Sequence, residues 1–288
     1  MKKKIKSQAA MEYLMTYGWA ILIIALALGV LYSLGIMNPK NFLPRAPPGS
    51  CFVFRPNGPG TTDFVSLQGT CGYLPMYVAS FDGGTNAYID FGKILYLQNF
   101  SVVAWIKVIR SNEPSWDNII GYGTQAGGNN RYGWCFYQNL NTATIVFAWG
   151  FGTTASGTTS TSVCSGLGWH YVAAVKNGLR QILYCDGKLV SNLTFSNDIN
   201  YGSAVLRFGY NGNLPWNGSI ANVQIYNTPL TPQEIQYLYQ QGLGGAPIRL
   251  GSLVGWWPLN GDAKDYSGNN NHGTINGGVT FVQNYNPP

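Results

Sequence analysis

Four aromatic side chains, Trp116, Tyr132, Trp134 and Trp149, are the residues of this chain best suited to hold a ligand. A ring offers an apolar face on which a sugar can stack, while nearby amides and carboxylates take its hydroxyls. Trp116 leads the set, because it stands in a loop, 111–118, where no strand pattern demands a tryptophan. For each of these rings, packing into a core is the competing role. A second chemistry is suggested by Asp262, Asp265, Asn269 and Asn271. Hard cations want clustered oxygens, so this loop is a candidate for structural Ca2+, although Asx turns would use the same residues without metal.

Catalysis is poorly provided for. Glycoside hydrolysis needs two carboxylates about 5–10 Å apart across one bond. Beyond Glu12 the only glutamates are Glu113 and Glu234, and Glu234 reads as part of a helix cap. Asp82, Asp90 and Asp186 adjoin glycines or strand ends, where turn roles come first. His170 and His272 are the only histidines and no Cys-x-x-Cys occurs, so zinc is not expected. The chain reads as non-enzymatic.

These residues must be positioned by strands. Phe100-Ser-Val-Val-Ala-Trp-Ile-Lys-Val108 places Phe100, Val102, Ala104, Ile106 and Val108 on one face. Similar runs cover 171–175, 181–185, 204–208 and 220–226, separated by turns such as Asp186-Gly187 and Asn211-Gly212. Many short strands at this spacing indicate an antiparallel β-sandwich. One helix interrupts them: Thr231-Pro232-Gln233-Glu234 is a capping box, Leu230 can staple onto Ile235, and Gly242 supplies the stop. Ile235, Leu238 and Tyr239 would lie on the sheet.

Five cysteines suggest disulfides outside the cell. Cys51 and Cys71 flank a Pro/Gly-rich stretch and are expected to pair, whereas Cys135, Cys164 and Cys185 leave one over. Three sequons, at Asn99, Asn192 and Asn217, mark candidate glycosylation sites.

The N-terminus is of a different character. From Tyr13 to Pro39 no residue is charged, and a helix from Gln8 to Gly35 would measure about 42 Å, enough to cross a ~30 Å hydrocarbon core. Lys2, Lys3, Lys4 and Lys6 supply four of the net charge of +6. The basic balance is therefore no nucleic-acid footprint, and it sets the N-terminus inside the cell. The organisation read from the sequence is a basic leader (1–7), a transmembrane helix (8–37) and a Pro-rich stalk (38–50). A disulfide-tied lead-in segment (51–77) and a sandwich (78–288) follow.

Two resemblances sharpen this. Lys6-Ser-Gln-Ala-Ala-Met-Glu-Tyr-Leu14 resembles the class III signal peptide of archaeal type IV pilin-like proteins. The likeness implies cleavage by a prepilin-type peptidase between Ser7 and Gln8, with Glu12 serving subunit assembly. The residue before the cut is Ser7, where glycine is more usual. Further along, Phe81-Asp82-Gly83, Ser101 to Lys107, Trp169-His170-Tyr171-Val172-Ala173, Leu183 to Gly187 and Trp216 to Asn227 resemble the laminin-G-like, concanavalin A-type jelly roll. In that family Trp105, Trp169 and Trp216 hold motif positions, which implies core. Ala221 replaces an acid often seen in the family. Leu253-Val-Gly-Trp-Trp-Pro-Leu-Asn-Gly261 and Asp265 to Gly273 look like the family's opening strand and loop, displaced to the end. Residues 253–283 are therefore expected to supply the first strands of the same sandwich; donation to a neighbouring subunit is the alternative.

The function these readings imply is a membrane-anchored surface protein presenting a lectin-like sandwich for carbohydrate binding or adhesion. Its partners would be membrane lipid, surface glycans and, in a filament, like subunits. A structural pilus or surface subunit without a glycan ligand is the alternative, and a secreted glycanase a distant third.

Overall fold

The computed structural model describes residues 3–33, 44–110, 116–122, 132–142, 144–152, 156–161, 164, 166–210 and 215–283. The chain divides into two units, Met1–Pro44 and Arg45–Pro288.

The first unit is a helix, α1 (Lys3–Ser33), built on Ala, Leu, Ile and Met, which hold helix well. Every described side chain in it, over residues 15–30, is exposed. Among the described residues no helix is long and apolar enough to cross a membrane. To that extent the expected transmembrane span over 8–37 is corrected. Ser7, Gln8 and Glu12 fall inside α1, which starts ahead of Gln8. Their side chains, and residues 34–37 altogether, lie outside the described residues.

The second unit opens with β1 (Arg45–Ala46), β2 (Cys51–Phe54), β3 (Ser66–Gly69) and β4 (Leu74–Pro75). Next come β5 (Val78–Asp82), β6 (Tyr88–Gly92), β7 (Phe100–Val108), β8 (Trp116–Tyr122), β9 (Trp134–Asn139) and β10 (Thr144–Gly150). After these lie β11 (Ser156–Thr161), β12 (Gly168–Asn177), β13 (Arg180–Cys185), β14 (Lys188–Thr194), β15 (Leu206–Phe208) and β16 (Asn217–Tyr226). Helix α2 (Pro232–Gln241) precedes β17 (Leu253–Trp257), β18 (Thr274–Asn276) and β19 (Val279–Val282).

Two sheets carry the architecture. One runs β11-β10-β9-β8-β15-β6-β18, the other β14-β13-β12-β7-β16-β5-β19 with β17 paired to β16. The main core lies between them and includes Ile106, Trp134, Phe147, Phe208, Trp216 and Trp257. A second core, with Trp105, Tyr171, Ala173, Ile235 and Leu238, fills the space under α2 on the outer face of the eight-stranded sheet. Strand β7 is apolar on both faces for this reason: Val102, Ala104 and Ile106 enter the first core, Val103 and Trp105 the second.

The helix forms where its signals stand. Thr231 caps Glu234 N–H while the Glu234 carboxylate accepts from Thr231 N–H at 2.8 Å. Ile235 and Leu238 are buried, and Tyr239 stacks on Trp105 with ring centroids 5.8 Å apart. Asp186 and Gly187 both take positive φ, 48° and 74°, and close a two-residue hairpin between β13 and β14.

Residues 253–283 join both sheets: β17 pairs β16, β19 pairs β5 and β18 pairs β6. Arg55 ties the lead-in segment to them by donating to the carbonyls of Ser267, Leu250 and Leu253 at 2.7–2.9 Å. The stalk expected over 38–50 does not extend to its end. Arg45 and Ala46 pair with Leu74 and Pro75, and Ala46 O accepts from Asn260 Nδ2, so the chain from Arg45 belongs to the sandwich unit. Residues 38–43 lie outside the described residues.

Candidate functional site

Residues in register on neighbouring strands share a face. By the pairings of β9, β8, β15, β6 and β18, the outward face of the seven-stranded sheet carries Tyr137, Asn139, Trp116, Asn118, Arg207, Tyr88 and Asp90. Gly121 lies opposite both Cys135 and Arg207 in the middle of this face, and a Cβ there would come within 2.4 Å of Cys135 Cβ. The centre is thus held close-packed, and the large rings stand to either side.

Trp116 opens β8 and remains 39% exposed. Its ring meets Tyr137 edge-on, centroids 5.0 Å apart at 68°. Asn139 is its register partner, and Asn118 that of Tyr137. The strand start is fixed from the other face, where Arg110 grips the buried Asp117 carboxylate at 2.7–3.1 Å. Gln138 Nε2 then donates to Arg110 O. Asn118 is buried, which leaves an exposed indole braced by a second ring with the Asn139 amide alongside, an arrangement suited to stacking on a sugar.

The other side of the face holds Tyr88 and Tyr210, stacked at 5.6 Å, with the Arg207 guanidinium 4.8 Å from the Tyr88 ring. Arg207 Nε donates to Asp90 Oδ2 at 2.7 Å, so both charges are already engaged. Sequence reasoning missed Tyr137, Tyr88, Tyr210 and Arg207. An alternation Tyr88-x-Asp90 against Ile89-x-Phe91 would have found one edge of the patch.

The remaining aromatic candidates separate. Trp134 and Trp149 are register partners on β9 and β10, both turned between the sheets, with exposures of 1% and 0%. Their assignment to a sugar surface is corrected: they are core. Tyr132 is half-buried at the sandwich end, against Gly152 and Gly202. Trp105, Trp169 and Trp216 are buried.

The residues proposed for calcium do not present free, convergent oxygens. Asp265 Oδ1 accepts from the N–H groups of Trp256 and Ser267, and Oδ2 from Asn271 N–H. Asp262 takes Lys264 N–H and the Tyr266 hydroxyl, while Asn269 Oδ1 takes Gly60 N–H. These oxygens serve turns and strand clips, the role that Asx residues play without metal. Among the described residues one cluster, Cys164, His170 and Cys185, brings three potential ligand atoms within 4.8 Å. Two of these three are joined as a disulfide, which leaves one.

Cys51 and Cys71 are also bonded, Cα–Cα 5.0 Å, and Cys135 is buried and takes part in neither disulfide. Of the sequons, Asn192 is exposed on the edge strand β14 along with Thr194. Asn99 is exposed, but its Ser101 is fully buried, and Asn217 is half-buried beside Gly83. His170 Nδ1 lies 3.1 Å from Asp186 Oδ2, and this bond holds the imidazole pKa above its ordinary value against the opposing effect of burial.

Two antiparallel sheets packed face to face, with a helix across one outer surface, define a lectin-type sandwich. Residues 82–236, just over half of the chain, match the concanavalin A-like lectin/glucanases superfamily, and the chain belongs to it. No curated protein matches the chain. Among solved structures, a candidate carbohydrate-binding protein of Bacteroides ovatus is similar at TM-score 0.51 and 14% identity, over 77% of this chain and 64% of that one. The CBM40 module of Ruminococcus gnavus IT-sialidase gives 0.48 and 16%, over 59% and 100%. A heptameric SAP-like pentraxin from Limulus polyphemus gives 0.44 and 15%, over 59% and 84%. At these identities the likeness speaks for the fold alone.

Proposed function

We propose that this chain binds carbohydrate through the outward face of its seven-stranded sheet, with Trp116 as the stacking ring. The observation that carries the reading is a tryptophan left 39% exposed at a strand start, braced by Tyr137 and flanked by Asn139. Such a ring gains little from folding alone and offers a ready apolar surface to a pyranose. Catalysis is not part of the reading. Glu234 is taken up by the α2 cap and by Arg249, and Asp90 by Arg207. Probing the full chain in detergent micelles against immobilised glycans tests it. Trp116→Ala should lower binding about tenfold or more, as the loss of a stacking ring does, without shifting the melting temperature. Equal binding by the variant would remove Trp116 from the site.

The proposal includes display at the cell surface. In it α1 is the assembly helix, cut by a prepilin-type peptidase between Ser7 and Gln8, with Glu12 near the new N-terminus. The apolar side chains Trp19, Ile21, Ile23, Ile24 and Leu26 are all exposed and would be covered by like helices in a filament. That exposed run is also what favours the second reading, a filament subunit without a sugar ligand. N-terminal sequencing of the native chain should begin at Gln8; a chain beginning at Met1 with its lysines intact contradicts the cleavage.

A further inference from the structure

A cleft of about 480 Å³ opens at one end of the sandwich, lined by Gln98, Phe151, Asn197, Asp198, Asn200 and Tyr201. It is separate from the Trp116 face in sequence and in lining, and its size lies within the ~300–1,000 Å³ of small-molecule sites. The loop that forms it is firmly held. Asn200 N–H donates to Gly150 O, Gly150 N–H to Gly133 O and Gly133 N–H to Asn200 O, all at 2.7–2.9 Å. Gly152 and Gly202 adopt positive φ, and a Cβ on either would meet Asn200 Nδ2 or Tyr132 Cδ1 at 2.6 Å. Tyr201 is fixed by donating to Leu97 O at 2.8 Å and by stacking on Tyr96 at 4.8 Å. The shape is therefore present before any ligand arrives, which spares the cost of ordering a loop.

Beneath the cleft lies an unusual group. Lys176 points inward from β12 and is fully buried, its ammonium 5.4 Å from the centroid of the Trp149 ring. It donates to the carbonyls of Gln98 and Gly178 and pairs with Asp198 Oδ1 at 2.7 Å. Asp198 Oδ1 also accepts from Ile199 N–H. Both ties reach Oδ1, so Asp198 is oriented from below while Oδ2 has no hydrogen-bond partner among the described residues, and the side chain is 45% exposed. The lysine balances the charge of the aspartate without itself reaching the surface. The cleft thus presents one fixed acceptor oxygen, the exposed amides of Asn197 and Gln98, and the apolar ring of Phe151, with no Lys or Arg among its described lining residues.

We infer that this cleft is a second sugar-binding subsite, and that it takes a neutral pyranose rather than an acidic one. The inference rests on the carbohydrate reading above and names a sugar class for it. Vicinal hydroxyls fit a carboxylate acceptor flanked by amides, and the apolar sugar face fits Phe151. A sugar carboxylate would meet the like charge of the exposed Asp198 carboxylate.

The test uses the full chain in detergent micelles with isotope-labelled Asn, Gln and Trp side chains. It is titrated with methyl β-glucopyranoside, methyl β-galactopyranoside and 3′-sialyllactose. A neutral glycoside should shift the Asn197 and Gln98 amide resonances. Asn197→Ala and Phe151→Ala should each weaken that response about tenfold, the equivalent of one lost contact, whereas Trp116→Ala leaves it unchanged. Sialyllactose should leave the cleft resonances in place. Melting curves accompany both cleft variants, and if one fails to fold, the other and the resonance shifts of the native chain decide. Shifts confined to the Trp116 indole would overturn the subsite and leave the carbohydrate reading standing. Silence at both places overturns both. A cleft response to sialyllactose as strong as to the neutral sugars overturns the choice of a neutral ligand.

Discussion

Asp186 does two things from one turn. Its Oδ1 accepts from Tyr171 N–H at 2.8 Å and its Oδ2 holds His170 Nδ1 at 3.1 Å. Because the bond to Asp186 raises the folded-state pKa of His170, protonated imidazole favours the native chain. The contribution is fully present below the unfolded value of about 6.5 and is lost as pH rises through the higher folded value. The melting temperature should therefore fall as pH rises above about 6.5, and Asp186→Asn should flatten that slope; a variant with the native slope would place the pH dependence elsewhere. Single residues were read unevenly from the sequence. Trp116 as an exposed ring and Trp105, Trp169 and Trp216 as core agree with their burial. Trp134 and Trp149 misled because an aromatic among Gly and Asn looks like a loop residue. The signal that they are core is the alternation Trp134-x-Phe136 and Ile145-x-Phe147-x-Trp149, whose inward faces meet across the register.

Among the elements, α2 was the most legible, since a capping box fixes both the start and the phase of a helix locally. Thr231 Oγ1 satisfies Glu234 N–H while Glu234 satisfies Thr231 N–H. Replacing Thr231 by Ala should cost about 1 kcal/mol, or roughly 2–4 °C in melting temperature, read by calorimetry on the full chain. No shift would mean that the cap contributes nothing beyond the packing of Ile235 and Leu238 beneath it. Strands β8 to β11 were far less legible, because Gly, Asn and Thr dominate the stretches between them and obscure the period of two. The Trp116–Tyr137 pair could not be read for the same reason: it depends on which residue of β9 faces which residue of β8, and register is a long-range property. The cleft is further still from sequence, since Gln98, Phe151 and Asn197 meet only once the loops are fixed.

At the scale of the whole molecule, the sandwich is closed by its own C-terminal strands. Trp257 is buried in the main core beside Phe91 and Phe208, at 4.9 and 5.5 Å between ring centroids, so these strands fill the interior as well as covering an edge. The result is a fixed scaffold with an exposed tryptophan braced at a strand start and a polar cleft at one end. The superfamily to which the chain belongs houses both lectins and glucanases, and the side chains, not the fold, favour binding over hydrolysis here. Glycan-array binding by the full chain, with both disulfides formed and a cooperative melt recorded on the same sample, tests this most directly. The account predicts a set of related neutral glycans bound by the native chain and bound about tenfold more weakly with Trp116→Ala; a blank array from folded protein contradicts it.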